Sequence, residues 1–362
     1  MKENNITAKA VEEQLYSSCN VLNSTTTEIA RVITCIFIFF SSLFGNSLVI
    51  LVIYRNPQMR TIVNLIIANM ALSDCLCTLF VIPKDVTQTF TYPEAWLVTG
   101  AVGEALCKIV YFFQDVTVAV SLLSMLMIAI ERYYAISRLF IADYRQYKRA
   151  TMIISLSWFL AFLVYSTHFY TYKLLVEEEG TICTYSWHPL VLDASHDDAW
   201  KIDFLFHSIL FLFVPFVIIT ILHAIILIKI RRIPIAELGS DTFKQRRERR
   251  YRKVLRILFA VVIAFGVCWF PYICYVYVNA YVWSNKETAP PCSVHFFGQW
   301  ALYLAYFNSS VNPAIYFAFS ANYQYGAASL FRACRPSFSA KRGKQAAKQI
   351  ELLHLRRTPR GK

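Results

Sequence analysis

Charge is scarce in this chain: 16% of its 362 residues are charged and 57% are hydrophobic. The scarcity is concentrated in seven stretches, roughly 32–54, 62–84, 106–132, 151–172, 204–230, 255–281 and 296–319. A water-soluble core does not need seven such runs, so a soluble globular protein is excluded. There is no nucleophile–base constellation and no metal-ligand spacing, which leaves enzyme chemistry without support. Apart from Asp74 and Asp115 the stretches lack ionisable relays, and no internal repeat is visible; both absences argue against a seven-span transporter or ion pump. Residues 1–28 lack the apolar core of a cleavable signal peptide, so the first stretch is expected to direct insertion itself.

What is present is length. A helix needs about 20 mostly apolar residues to cross about 30 Å of hydrocarbon. Lipid offers no partners to backbone N–H and C=O groups, so each stretch must be a helix. The expectation is an all-α membrane protein: a polar N-terminal tail over 1–28, a seven-transmembrane helix bundle over 29–319, a short amphipathic eighth helix over 320–334 and a basic tail over 335–362.

The net charge of +13 is unevenly spread. Ten Lys/Arg face three acids between Lys229 and Lys253, and ten face one acid after Ala321. Between Lys173 and Asp203 the balance reverses, with two lysines against seven acids. The positive-inside rule puts the fifth-to-sixth loop and the C-terminus in the cytoplasm and the N-terminus outside. The glycosylation sequons at Asn5 and Asn23 agree with that side. Basic cytoplasmic segments face anionic lipid headgroups, which accounts for the charge without nucleic acid. Cys19, Cys107, Cys183 and Cys292 fall on the outer, oxidising side. Pairing Cys107 with Cys183 would pin the acidic loop across the bundle mouth, and Cys19 with Cys292 would tie the tail to the last outer loop; spacing alone does not fix either. Cys334 is a candidate palmitoylation site near the membrane, or an unmodified thiol.

The polar residues inside the stretches carry the function. Asp74 sits mid-span, with Asn46, Ser121, Asn308 and Asn312 at similar depth. One carboxylate among hydroxyls and amides suits a small hard cation such as Na⁺, or a water-filled polar network. Glu131-Arg132-Tyr133 closes the third stretch. Pro215, Pro271 and Pro313 lie inside helices, where each removes a hydrogen bond and bends the axis.

Taken in order, Gly45-Asn46, Leu72-Ser73-Asp74, Cys107, Glu131-Arg132-Tyr133, Trp158, Cys183, Pro215, Cys268-Trp269-Phe270-Pro271 and Asn312-Pro313-Ala314-Ile315-Tyr316 resemble the rhodopsin-like (class A) G-protein-coupled receptors over roughly 30–335. The resemblance implies that Asp74, Ser121, Asn308, Ser309 and Asn312 form a sodium pocket. It implies that Trp269 and Phe265 form the switch beneath the ligand. Arg132 would pair with Glu131 at rest and reach toward a heterotrimeric G protein when active, and Tyr316 would swing inward. Phe319, Tyr323, Ala327 and Phe331 would form the lipid-facing stripe of the eighth helix. Two positions depart from the pattern. His223 stands where the family usually has a tyrosine, which bears on the active-state water bridge. Tyr251 stands where some receptors carry an acid for the third-span arginine, which would raise basal activity.

Ligand class follows from three more positions. Tyr306 stands where a retinal-binding lysine would be, which argues against a retinal photoreceptor. Gln114 stands where monoamine receptors carry an aspartate, with Asp115 turned about 100° away around the helix. Gln114 and the stretch from Trp300 to Tyr316 are similar to receptors for neuropeptide Y, neuropeptide FF and orexin. The acidic outer loop would steer a basic peptide, or be a solvated face. The implied pocket is Gln114, Asp115, Trp269, Tyr272, Gln299, Tyr303 and Tyr306, with Asp85, Glu104 and His207 nearer the mouth. The expected protein is therefore a multi-pass plasma-membrane receptor for an amidated basic peptide, with no cofactor beyond an allosteric Na⁺. Its partners would be a G protein, arrestin and membrane lipids. A receptor for a monoamine, lipid or other small molecule, or a constitutively active orphan, is the alternative. The serine- and threonine-poor tail predicts weak tail-dependent arrestin recruitment.

Overall fold

The helices form where hydropathy places them and then run beyond it. The computed structural model describes residues 24–91, 94–137, 146–177, 180–187, 196–231, 242–283 and 290–334. Asn5, Cys19, Asn23, Glu178, Glu179, Asp193 and the tail after 334 lie outside these residues, and at Asp197, Asp198, Tyr251 and Cys334 only the backbone is described.

Helix α1 spans Thr25–Arg55, with the Ser24 side chain accepting from the Thr27 N–H at its start and Arg55 in its last turn, where a cation meets the negative end of the helix dipole. Helix α2 spans Ile62–Phe90 and is capped by Thr61. Helix α3 spans Gly100–Ser137 and α4 spans Gln146–Tyr165. A turn of helix, His168–Thr171, leads into an antiparallel hairpin of β1, Tyr172–Glu177, and β2, Gly180–Tyr185. Helix α5 runs through His196–Ser208, a π turn at Ile209–Phe213 and Val214–Arg231. The wide turn sits directly before Pro215, whose ring excludes the carbonyl one turn back and which has no N–H to give it. Helix α6 spans Thr242–Val278 and ends in a second π turn, Asn279–Trp283. Helix α7 spans Cys292–Phe319 and α8 spans Ala321–Cys334.

Six of these helices are long and apolar enough to cross a membrane. The seventh, α7, has the length but not the mean hydropathy, because Asn308, Ser309, Ser310 and Asn312 all turn inward and are buried. It packs against α6, α1 and α2, while α3 occupies the centre and touches α2, α4, α5 and the hairpin. Large apolar side chains such as Phe37, Phe40, Phe159 and Phe270 are exposed around the outside, as a lipid-facing surface requires. Close approach is written in glycine: a Cβ on Gly45 would lie 2.9 Å from the Pro313 ring, so α1 and α7 meet where only glycine fits. Helix α8 folds back on α1, with Gly326 against Val52. Of its predicted apolar stripe, Tyr323 and Ala327 are buried against the bundle and Phe319 and Phe331 face outward.

The expectation that ionisable groups inside the bundle stop at Asp74 and Asp115 is corrected here. Lys84, the last residue of the second stretch, and Asp85, which follows it as α2 continues, both have buried side chains; Arg31 and His207 are buried as well.

Candidate functional site

A disulfide joins Cys107 at the top of α3 to Cys183 of β2, with a Cα–Cα distance of 5.7 Å. The bond holds the hairpin over the mouth of the bundle, helped by backbone bonds from Cys183 N–H to the Glu94 carbonyl (3.0 Å) and from Trp96 N–H to the Thr181 carbonyl (2.8 Å). Cys292 is also disulfide-bonded. Beneath the hairpin lies a cavity of about 370 Å³, walled by α3, α5, α6, α7 and the hairpin.

Six predicted pocket residues line it: Gln114, Asp115, His207, Trp269, Tyr272 and Tyr306. Gln299 and Tyr303 do not. They sit one turn apart on the same face of α7, and Tyr303 packs instead with Cys35, Ile38 and Val81 between α1 and α2. Glu104 points outward and pairs with Lys108 at 2.7 Å, one turn along α3.

The cavity's polar residues form two histidine–carboxylate pairs that sequence reading did not foresee. His168 Nε2 lies 2.7 Å from Asp115 Oδ2, and His207 Nδ1 lies 2.8 Å from the Asp203 carbonyl and 3.3 Å from its carboxylate. The far ring nitrogens, His168 Nδ1 and His207 Nε2, are buried without hydrogen-bond partners. Trp187 donates to the Tyr185 hydroxyl (2.6 Å), which donates to Asp203 (2.7 Å). Burial, and then the neighbouring Asp203 carboxylate, hold the Tyr185 phenol well above its usual value, so it stays an O–H donor. The i,i+4 spacing of Asp203 and His207 was the available signal; counting Asp203 only as outer-loop charge concealed it. Tyr165, Tyr172 and Phe204 complete an aromatic lining.

Below Trp269, whose ring stacks on Phe265 at 5.9 Å, a smaller cavity of about 20 Å³ lies among Asp74, Ser121, Asn308 and Ser309. Ser121 donates to Asp74 Oδ1 (3.2 Å) and Asn312 Nδ2 to Oδ2 (3.0 Å). The side-chain oxygens of Asn46, Asn308 and Asn312 are buried without hydrogen-bond donors. A carboxylate with spare carbonyl oxygens, in a space about the size of one water, is a donor set that fits a hard cation. Asn46 Nδ2 reaches across to the Ser309 carbonyl at 2.8 Å, linking α1 to α7.

At the cytoplasmic end Glu131 lies 3.8 Å from Arg149 of α4. His223 is buried in α5; its Nδ1 donates to the Ile219 carbonyl (2.8 Å), its Nε2 has no hydrogen-bond partner, and the ring meets Phe259 of α6 edge-on. Tyr316 stacks on Tyr323 of α8, whose hydroxyl donates to Asn64 (3.3 Å).

A bundle of this topology, with a disulfide-pinned hairpin over one cavity and a polar junction beneath it, defines a membrane receptor. Residues 45–316 match the 7 transmembrane receptor (rhodopsin family), and the chain belongs to that family, which signals through heterotrimeric G proteins and performs no enzymatic reaction. Among curated proteins it is similar to a QRFP-like peptide receptor of Branchiostoma floridae, 29% identical over 84% of this chain and 79% of the relative. It is similar to neuropeptide FF receptor 1 of Homo sapiens, 28% identical over 88% of this chain and 74% of the relative. A pyroglutamylated RF-amide peptide receptor of Rattus norvegicus is 31% identical over 79% of this chain and 66% of the relative.

Proposed function

We propose that the chain is a plasma-membrane receptor for an extracellular basic peptide with an amidated C-terminus. The observation that carries this is an aromatic cavity to whose lining Gln114, Asp115 and Asp203 all contribute. A carboxamide can meet a terminal amide, and carboxylates lining the same cavity can meet a guanidinium. The names of the relatives support the same chemistry: two are receptors for QRFP-like or RF-amide peptides and one for neuropeptide FF.

Agonist binding would shift a pre-existing equilibrium toward a state open at the cytoplasmic face. Trp269, Phe265, Pro271, Pro313 and Tyr316 would carry the change, and Glu131, Arg132 and Tyr133 would meet the G protein. Asp74, Ser121, Asn308, Ser309 and Asn312 would hold an allosteric Na⁺. Arrestin and anionic lipid complete the proposed partners, with glycans on Asn5 and Asn23, a Cys19–Cys292 bridge and palmitate on Cys334.

The test is G-protein activation in cells expressing the receptor, challenged with synthetic peptides ending in Arg-Phe-amide, their free-acid twins, and monoamine and lipid panels. The expected result is a response to amidated peptide that falls by about tenfold or more in Gln114→Ala at equal surface expression. Responses confined to the amine or lipid panel would overturn the peptide reading and leave the family assignment intact.

A further inference from the structure

Gln114 is gripped from behind by a buried cation. The Lys84 side chain, 7% exposed, sits in α2 directly after Pro83. Its ammonium donates to Gln114 Oε1 at 2.8 Å, lies 3.3 Å from Asp85 Oδ1 and stands 4.6 Å from the centre of the Tyr111 ring. Tyr111 stacks face to face on Tyr172 of β1, with centroids 4.2 Å apart. The lysine is thus fixed by a carboxylate, by an aromatic face and, through that ring, by the disulfide-held hairpin. Gln114 belongs to the cavity wall and Lys84 does not.

The chemistry of that contact sets the orientation of the carboxamide. A glutamine side chain can present either its oxygen or its NH₂ group, and the two ends have nearly the same shape. An ammonium has three donors and no acceptor, so only the oxygen can face Lys84. The NH₂ group is then turned away from the lysine, and the adjacent charge strengthens it as a donor. We infer that Lys84 is a positioning residue that fixes Gln114 as a hydrogen-bond donor to the ligand, so that the subsite selects a neutral acceptor, the carbonyl oxygen of a terminal carboxamide.

Two alternatives are disfavoured by the same atoms. A ligand ammonium would bring donors against a donor, with the Lys84 charge behind it. A terminal carboxylate would find the lysine charge already matched by Asp85 and would face the carboxylate of Asp115, the next residue on α3. The selection rests on the peptide reading above, but the donor assignment concerns this chain's own side chains.

The experiment uses the full-length receptor, an epitope tag to equalise surface amounts, and an Arg-Phe-amide peptide with its free-acid twin as probes. Gln114→Glu keeps the acceptor that Lys84 needs and removes both N–H donors. It should lose amide potency as fully as Gln114→Ala, ~10-fold or more. The variant Lys84→Met with Asp85→Asn removes the buried pair together, avoiding a lone buried charge. It should cost a similar factor in the wild-type background and less than about threefold on top of Gln114→Ala, because coupled partners are not additive. Lys84→Arg, which also offers only donors, should preserve the response within about threefold.

Retention of the peptide response by Gln114→Glu overturns the donor assignment. An equal loss from the double variant with and without Gln114 assigns Lys84 a structural role only and overturns the positioning role. Should the wild type answer a small molecule instead of any amidated peptide, the peptide reading fails separately. Gln114→Glu is then read with that molecule, and retention overturns the donor assignment on the same terms.

Discussion

Single side chains in this receptor take their meaning from what stops them moving. Tyr185 is an example: it accepts from Trp187 and donates to Asp203, so one phenol aims a carboxylate into the cavity. Tyr185→Phe leaves the Trp187 N–H without its acceptor and frees one Asp203 oxygen. Losing a hydrogen bond to a charged group costs about 1.5–3 kcal/mol, part of which water can restore in an open cavity. The potency of a basic peptide should therefore fall by roughly fivefold to tenfold, read as a shift of the concentration–response curve. An unchanged midpoint would mean that Asp203 does not face the ligand. The pH dependence of this link has a definite sign. A tyrosine with a raised folded value contributes fully below its unfolded value near 10 and loses the contribution only as pH climbs toward the folded one. The phenol side of the link should thus be flat between about pH 6 and 8. His223 is a buried ring with one nitrogen lacking a hydrogen-bond partner. Replacing it with the tyrosine that the family usually carries should raise agonist-driven output, measured as the maximal G-protein response; an unaltered maximum would separate His223 from the active state.

Elements show where the sequence was readable and where it was not. Hydropathy marks six of the spanning helices clearly because it reports contact with lipid, and α7 less so because its polar residues turn inward. Helices α2 and α3 continue beyond their apolar stretches, so their outer turns, and with them the pairing of Lys84 with Asp85 and the register of the cavity wall, are not visible to it. The β hairpin, which positions Tyr172 and Tyr185, has no apolar run to announce it. The polar junction around Asp74 was legible because a charge inside a span has few bland explanations. The face of a helix that a residue occupies is legible only when a neighbour constrains it: of the residues expected in the pocket, Gln299 is not part of the cavity lining and Tyr303 packs between α1 and α2. Glycine contacts were likewise invisible without coordinates. A Cβ on Gly326 would lie 2.5 Å from Val52 Cγ1, inside any real contact. Gly326→Val should therefore push α8 off α1 and cost about 1–3 kcal/mol, the usual range for overpacking. Thermal unfolding of detergent-purified receptor would read it as a lower midpoint. A midpoint equal to the wild type would mean that α8 does not depend on this contact.

At the scale of the whole molecule, the ligand cavity and the cytoplasmic face must share one equilibrium, and the Asp74 junction is where their helices meet. Asp74 comes from α2, Ser121 from α3, and Asn308 and Asn312 from α7, the helix whose far end carries Tyr316. An ion held by these three helices would favour the arrangement that leaves its small cavity intact, and a ligand that moves α6 or α7 would oppose it. Coupling of this kind is reciprocal: whatever factor Na⁺ takes from agonist affinity, agonist takes from Na⁺ affinity. We therefore expect agonist affinity in membranes to rise by about threefold to tenfold when sodium chloride is replaced by choline chloride at equal ionic strength, within the ordinary range of allosteric coupling. Holding ionic strength constant matters, because the acidic outer face would respond to screening alone. Asp74→Asn keeps the size of the side chain and can still bond Ser121, but it removes the charge that would bind the ion. It should show one affinity in both salts, close to the wild-type value in choline. Equal wild-type affinities in the two salts would make the junction a water network. A sodium effect that survives Asp74→Asn would place the ion elsewhere in the bundle and leave this cavity with a purely structural part in activation.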